Sequence, residues 1–279
     1  MVLIGELIKR AIQVTQLSFT DSSAAEQQDK QLQQLLSKAS ETAFGRYYGF
    51  GQILKSDDRI AAYQRQVPIF DYNNMRPWWE QQQLYPDITW PGQPDYFALS
   101  SGTTGKESKR IPVTDDMLQS FRAVSMAQVG SLNNFDLPAA FFQRQLLALG
   151  SSTDLQERKG HLEGEISGIN ASNAPDWFDF FYKPGKEIVG INDWDARIEA
   201  IAEAAPDWDI GALAGIPSWV LMMLQAVMER HKLSSIHDLW PGLQVYTTGG
   251  VAFEPYRESF EALFSKPVFY MDTYLASEG

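Results

Sequence analysis

Leu243-Gln244-Val245-Tyr246-Thr247, then Thr248-Gly249-Gly250, then Glu254 to Phe264, then Pro267 to Met271 is the stretch whose reading decides the fold. The first five residues read as a strand, Glu254–Phe264 as a helix and Pro267–Met271 as a second strand. Strand, loop, helix and strand in that order make a βαβ unit, which builds a parallel sheet and places ligand loops at the strand carboxyl ends. Thr248–Val251 and Asp272–Gly279 are therefore expected at one sheet edge. Just upstream, Pro217 suits the first turn of a helix. Trp219, Val220, Met223, Leu224 and Val227 give that helix an apolar face, which reads as core rather than as a ligand pocket.

The most chemically suggestive segment lies further back. Tyr96-Phe97-Ala98-Leu99 is a short apolar run, and Ser100-Ser101-Gly102-Thr103-Thr104 follows it without a single bulky residue. Gly105, Lys106, Lys109 and Arg110 come next. Small residues let backbone N–H groups curl round an anion, hydroxyls add neutral donors and cations supply charge. That is the chemistry of holding a polyphosphate. A Walker A loop is excluded, because its first glycine and its metal-binding hydroxyl would fall on Ser100 and Glu107. The competing reading is a solvated Ser/Thr/Gly connector. If the strand at 96–99 joins the same sheet as the βαβ unit, three loops converge on one crevice.

Residues 1 to about 45 look helical, with Leu3, Leu7 and Ile8 on one face and Leu32, Leu35, Leu36 and Ala39 repeating the pattern. Ser23 with Glu26 has the spacing of a capping box. Residues 46–95 are rich in aromatics, Pro and Gln, with a turn at Val67-Pro68-Ile69-Phe70-Asp71-Tyr72.

The 279 residues carry 23 basic and 35 acidic side chains, a net charge of −12, which argues against a nucleic-acid footprint. An acidic chain also holds a small anion poorly without local cations, so the Lys106–Arg110 cluster needs a reason. There is no cysteine, which removes disulfides, thiolate nucleophiles and Cys-based zinc sites. His161, His231 and His237 have no metal-ligand spacing, whereas a hard cation such as Mg²⁺ stays open. A serine hydrolase fails for want of a GxSxG elbow and a placed His. No apolar run reaches membrane-spanning length and no signal peptide is legible, so a cytoplasmic protein is expected, with no membrane partner.

With these loops in hand the chain resembles a bacterial member of the GH3 family, the acyl acid amido synthetases of the adenylate-forming enzymes. Ser100-Ser101-Gly102-Thr103-Thr104-Gly105-Lys106-Glu107-Ser108-Lys109 is similar to the family's first motif, with Thr104 for Ser and Lys106 at its second Gly. Ile111-Pro112-Val113-Thr114 continues the likeness, and Tyr274-Leu275-Ala276-Ser277-Glu278 is similar to the Tyr-x-x-Ser-Glu motif. Thr42–Phe50 and Val67–Tyr72 resemble the family's N-terminal region. Family members run longer, and this chain stops one residue after the second motif. The ribose-binding Asp of the third motif and the small C-terminal domain are absent, so these residues alone are not expected to turn over.

The resemblance implies an α/β fold, with parallel or mixed sheets and flanking helices. It would be part of the large domain of an adenylate-forming enzyme: a helical N-terminal region over 1–95 and a nucleotide-binding part over 96–279. It implies a ligase that uses ATP and Mg²⁺ to activate a carboxylic acid as its acyl-adenylate, then passes the acyl group to an amine such as an amino acid. By the same resemblance Lys109 and Glu278 are catalytic, with Glu278 on Mg²⁺. Ser100, Ser101, Gly102, Thr103, Thr104 and Gly105 would hold phosphate, aided by Ser277, and Gly249, Gly250 and Tyr274 would line the adenine site. An acid–CoA ligase and a nucleotide-binding scaffold without turnover are the alternatives. Arg122, on an expected helix, is a candidate partner for the acid, with a surface role as the competing reading. The sequence assigns no oligomeric state.

Overall fold

A computed structural model describes residues 5–10, 12, 23–100, 108–174 and 180–277. Residues 5–10 are helical, and the elements after them are, in chain order, α1 (Ala24–Ala39), α2 (Ala43–Tyr47), α3 (Phe50–Ile53), α4 (Arg59–Gln66) and α5 (Tyr72–Gln82). Then come β1 (Tyr96–Ser100), β2 (Lys109–Val113), α6 (Asp115–Ser131), β3 (Gln145–Leu149), β4 (Gln156–Arg158) and β5 (His161–Gly164). The series continues through α7 (Ile166–Ser172), β6 (Tyr182–Lys183), α8 (Lys186–Val189) and α9 (Trp194–Ala204). It closes with β7 (Ile210–Gly215), α10 (Pro217–His231), β8 (Val245–Gly249), α11 (Arg257–Glu261) and β9 (Phe269–Thr273). The chain divides into two compact units, one of residues 18–120 and 156–163, the other of 1–17, 121–155 and 164–279.

The first unit is helical at its start because its caps are written into the sequence. Ser23 accepts from the Glu26 N–H while the Glu26 carboxylate accepts from the Ser23 N–H, the capping box that the spacing predicts. Thr42, Asp58 and Asp71 cap α2, α4 and α5 with a single side-chain bond, accepting from the N–H groups of Gly45, Ala61 and Asn74. Leu36, Ala39, Phe50, Ile53 and Val67 form a small buried core, and Leu32 packs on it. Leu35, expected on the same face, is exposed instead. The aromatic stretch 46–95, expected to belong to a helical N-terminal region, contains α3, α4 and α5. Pro77 sits inside α5 and masked its periodicity, since proline removes a helix donor. The unit's four-stranded sheet has the order β2-β1-β5-β4. Edge strand β2 carries Pro112, tolerated where no partner strand requires its N–H.

The second unit is built on a five-stranded sheet of order β6-β3-β7-β8-β9, in which every recorded pairing is parallel. This is the parallel sheet that the βαβ reading requires. The helix expected at Glu254–Phe264 forms as a 3₁₀ turn at Glu254–Tyr256 running into α11. Val220, Met223, Leu224 and Val227 of α10 are buried against Leu213, Tyr246, Trp240 and Phe260, so the Met and Trp stripe is core. Pro217 occupies the first turn of α10. No helix among the described residues is long and apolar enough to cross a membrane.

Candidate functional site

Two groups of expected site residues are described, one in each unit. In the first unit, β1 and β2 pair antiparallel with Ser100 directly opposite Lys109. The two ends of the Ser/Thr/Gly segment are thus register partners. Ser101, Gly102, Thr103, Thr104 and Gly105 lie outside the described residues, as do Lys106 and Glu107. The Lys109 ammonium stands 5.3 Å from the centre of the Tyr72 ring, an electrostatic contact with the ring face. The Tyr72 hydroxyl accepts from the Arg110 N–H at 3.0 Å, which satisfies an outward-facing donor of the edge strand. Arg110 in turn donates through Nε to Glu163, at 3.1 and 3.3 Å from the two carboxylate oxygens.

β1 belongs to the antiparallel sheet, not to the parallel one. The condition that all three loops share one sheet edge is therefore not met. The physical reason is the short connection: eight residues close a hairpin readily, whereas a parallel neighbour needs a crossover of a dozen or more.

In the second unit, Gly249 ends β8 opposite Thr273 of β9. A Cβ on Gly249 would lie 2.9 Å from the Thr273 carbonyl oxygen, so only glycine lets the two backbones approach. Gly250 has φ +83°, a left-handed conformation that side chains disfavour. Tyr274 follows β9 and is exposed, with Ser277 half-buried three residues on. Glu278 lies outside the described residues. Burial pushes the Tyr246 phenol up, and its hydroxyl donates to the Gly215 carbonyl at 3.0 Å, tying the start of β8 to the carboxyl end of β7.

The sheet order adds a place that sequence reading missed. From β3 the chain moves one way to β6, and from β7 it moves the other way to β8. A reversal of that kind opens a crevice between the carboxyl ends of β3 and β7. The β3 side of it is Gly150-Ser151-Ser152. Ser151 donates to Glu165, and the Ser167 hydroxyl donates to the Ser151 hydroxyl at 2.8 Å. Behind them the buried Arg197 guanidinium donates to the carbonyls of Ile191 and Gly150. Burial lowers its pKa from the ordinary value. The apolar run Leu146-Leu147-Ala148-Leu149 ahead of Gly-Ser-Ser was the available signal.

Arg122 does lie on a helix, α6, and donates to the Asn173 carbonyl at 3.1 Å. That contact gives it a structural partner and supplies no support for acid binding. Among the described residues no group of three acidic, His or Cys side chains is gathered for a metal ion.

Known proteins resemble the chain in both sequence and fold. A family model described as the GH3 family N-terminal domain matches residues 13–205. No curated protein matches. Among solved structures, "AtGH3.15 acyl acid amido synthetase in complex with 2,4-DB" superposes with TM-score 0.72 at 14% identity, over 97% of this chain and 56% of that one. A second structure, "GH3.15 acyl acid amido synthetase", gives 0.70 at 13% identity, over 100% and 56%. An open conformation of 2-hydroxyisobutyryl-CoA ligase, in complex with 2-HIB-AMP and CoA, gives 0.54 at 12% identity, over 91% and 54%. The chain thus spans little more than half the length of these structures, and at such identities they establish the fold. The family match covers most of the sequence, and the parallel sheet and hairpin agree with it: the chain belongs to the GH3 family.

Proposed function

We propose that the protein containing this chain activates a carboxylic acid with ATP as an acyl-adenylate and transfers the acyl group to an amine, such as an amino acid. The observation that carries this reading is the register of the β1–β2 hairpin, which sets Lys109 opposite Ser100 at the two ends of the glycine- and hydroxyl-rich segment. In the first step a carboxylate oxygen bonds to the α-phosphorus and the bond to the bridging oxygen of pyrophosphate breaks. In the second, the amine nitrogen bonds to the acyl carbon, AMP departs with its phosphate oxygen, and the amine gives up a proton.

Both reacting groups of the first step are anions, so the barrier is largely electrostatic. Lys109 offsets that repulsion, and the backbone and hydroxyls of Ser100 to Gly105 accommodate the phosphates. Gly249, which lets β8 and β9 approach, and Gly250 are assigned to the adenine with Tyr274. Ser277 contacts phosphate. The assignments at the hairpin fit ATP phosphates on its donor chemistry. Glu278 would hold Mg²⁺, which would supply positive charge to offset that on the pyrophosphate leaving group. No protein base is needed for attack by an ionised carboxylate.

The test is acid-dependent ATP–pyrophosphate exchange by the natural-length protein over a panel of aromatic and aliphatic acids. Exchange that requires an acid and falls by about a hundredfold or more in Lys109→Ala bears the reading out, and Glu278→Ala should behave alike. Discharge of the adenylate by amines but not by coenzyme A separates amide synthesis from thioester synthesis. ATP binding without exchange for any acid would make the protein a nucleotide-binding scaffold instead.

A further inference from the structure

Glu163 is the one buried carboxylate among the described residues, 4% exposed in a chain with 35 acidic residues. Taking a carboxylate out of water is costly unless charge and hydrogen bonds replace the water. Around Glu163 they do. Arg110 Nε lies 3.1 Å from Oε1, His161 Nε2 3.0 Å from the same oxygen, and Arg158 Nη1 3.7 Å from Oε2. The His161 ring packs on Phe97 at 4.5 Å between centres, and its Nδ1 is buried with no hydrogen-bond partner. The cluster is therefore closed on one side by the core and carries two guanidinium groups against one carboxylate.

Its position gives it a task. Arg110 is on β2, Glu163 on β5, and β1 runs between them in the sheet order β2-β1-β5-β4. Arg110 is the register partner of Leu99, one step inside the Ser100–Lys109 pair. The ion pair is a strap laid across β1 immediately below the two ends of the segment 101–108. Among the described residues no strand pairs with the outer side of β2, and there Tyr72 takes the Arg110 N–H. The strap and Tyr72 hold both sides of the residue next to Lys109.

We propose that Glu163 is a positioning residue for phosphate binding: by pinning Arg110 across β1 it fixes the register and orientation of Lys109 opposite Ser100. Glu163 touches no substrate itself. A site whose groups are already held in place loses less freedom on binding, so its affinity depends on the supporting residues. The inference rests on the proposed use of the hairpin for ATP phosphates.

The experiment measures ATP binding and the KM for ATP and for acid in pyrophosphate exchange, for the wild type, Glu163→Gln, Arg110→Met and the double variant. The KM for ATP should rise about tenfold in each single variant, the scale of loss when a supporting partner behind a ligand-binding group is removed. The KM for the acid should stay unchanged. The double variant should be no worse than either single one, because both break the same link. A folded Glu163→Gln with the wild-type KM for ATP, or a double variant whose effects multiply, overturns the proposal. If a single variant leaves an uncompensated buried charge and fails to fold, Glu163→Met with Arg110→Met replaces the pair by apolar groups. The raised KM for ATP is expected there too, and a wild-type value overturns the proposal. A wild type that binds no ATP overturns the phosphate reading itself, whereas an ATP-binding wild type with an indifferent Glu163→Gln overturns only the strap.

Discussion

The two compact units solve the same problem, burying polar chemistry beside backbone, in opposite ways. In the parallel-sheet unit the buried ionisable side chains Arg197 and His237 bond to backbone groups and to no carboxylate. In the helical unit with the antiparallel sheet, the buried ionisable groups are His161 and Glu163, bonded to each other and to Arg110. The cores differ too. Trp240, Tyr246, Phe260 and most of α10 build one large apolar core around the parallel sheet, while Leu36, Ala39, Phe50, Ile53 and Val67 make a much smaller one under the helices. A unit with a large core can satisfy its few polar groups with backbone. The other spends its buried charge at the hairpin, where the proposed phosphate chemistry is.

The first way to break this comparison is to attack the large core. Ile210 in the large core and Ile53 in the small one are both fully buried. Ile210→Ala should destabilise the protein by about 4–5 kcal/mol, against about 2–3 kcal/mol for Ile53→Ala in the small core. Denaturant titration of both variants gives the ratio, and equal losses would undo the contrast between the cores.

A smaller effect sharpens the helical side. Ser23→Ala removes one half of the α1 capping box and should cost about 1 kcal/mol. Thermal melts followed by helical ellipticity measure it, and a loss near zero would mean that α1 is held by packing of Leu36 and Ala39 alone.

The smallest effect concerns pH. Burial holds the His237 pKa below its ordinary value, and Lys266 acts in the same direction. The Leu243 carbonyl, which accepts from Nε2, and Asp238 oppose them. Nδ1 accepts from the Ser265 N–H at 3.1 Å, so the folded state wants the neutral ring. The unfolded chain binds the proton first, near its ordinary pKa of about 6.5. Stability from this group is thus complete above that value and is lost as pH falls toward the lower folded pKa. Melting midpoints should drop between about pH 7.5 and about pH 5.5, and less so in His237→Gln. An unchanged slope in that variant would assign the pH dependence to other groups.

How much of this was legible in the sequence follows from the kind of burial. The second half of the parallel sheet was readable because Val245–Thr247 and the run after Pro267 are strands separated by one helix and bounded by Gly249-Gly250. β3 was missed although Leu146–Leu149 is apolar, since a short apolar run does not tell strand from buried helix. The region 1–95 was expected to be helical, but its individual helices over 46–95 were not delimited, because Pro77 and clustered aromatics hide a 3.6-residue period although Asp58 and Asp71 stand at their caps. For the proposed site, Ser100, Lys109, Gly249, Gly250, Tyr274 and Ser277 were nominated from motif and resemblance. Glu163 carried no signal, because its partners are 53 residues away on β2 and two residues away on its own strand.

By itself the sequence determined the α/β class, the cap at Ser23, the first-turn proline Pro217, the apolar face of α10 and the family motifs, all of which depend on neighbours a few residues apart. Only the tertiary structure decided that β1 joins an antiparallel sheet, that the chain reverses between β3 and β7, and that Glu163 meets Arg110 across β1. Those outcomes are set by which strands pair and by where a charge can be satisfied once water is gone, and neither is a property of local spacing.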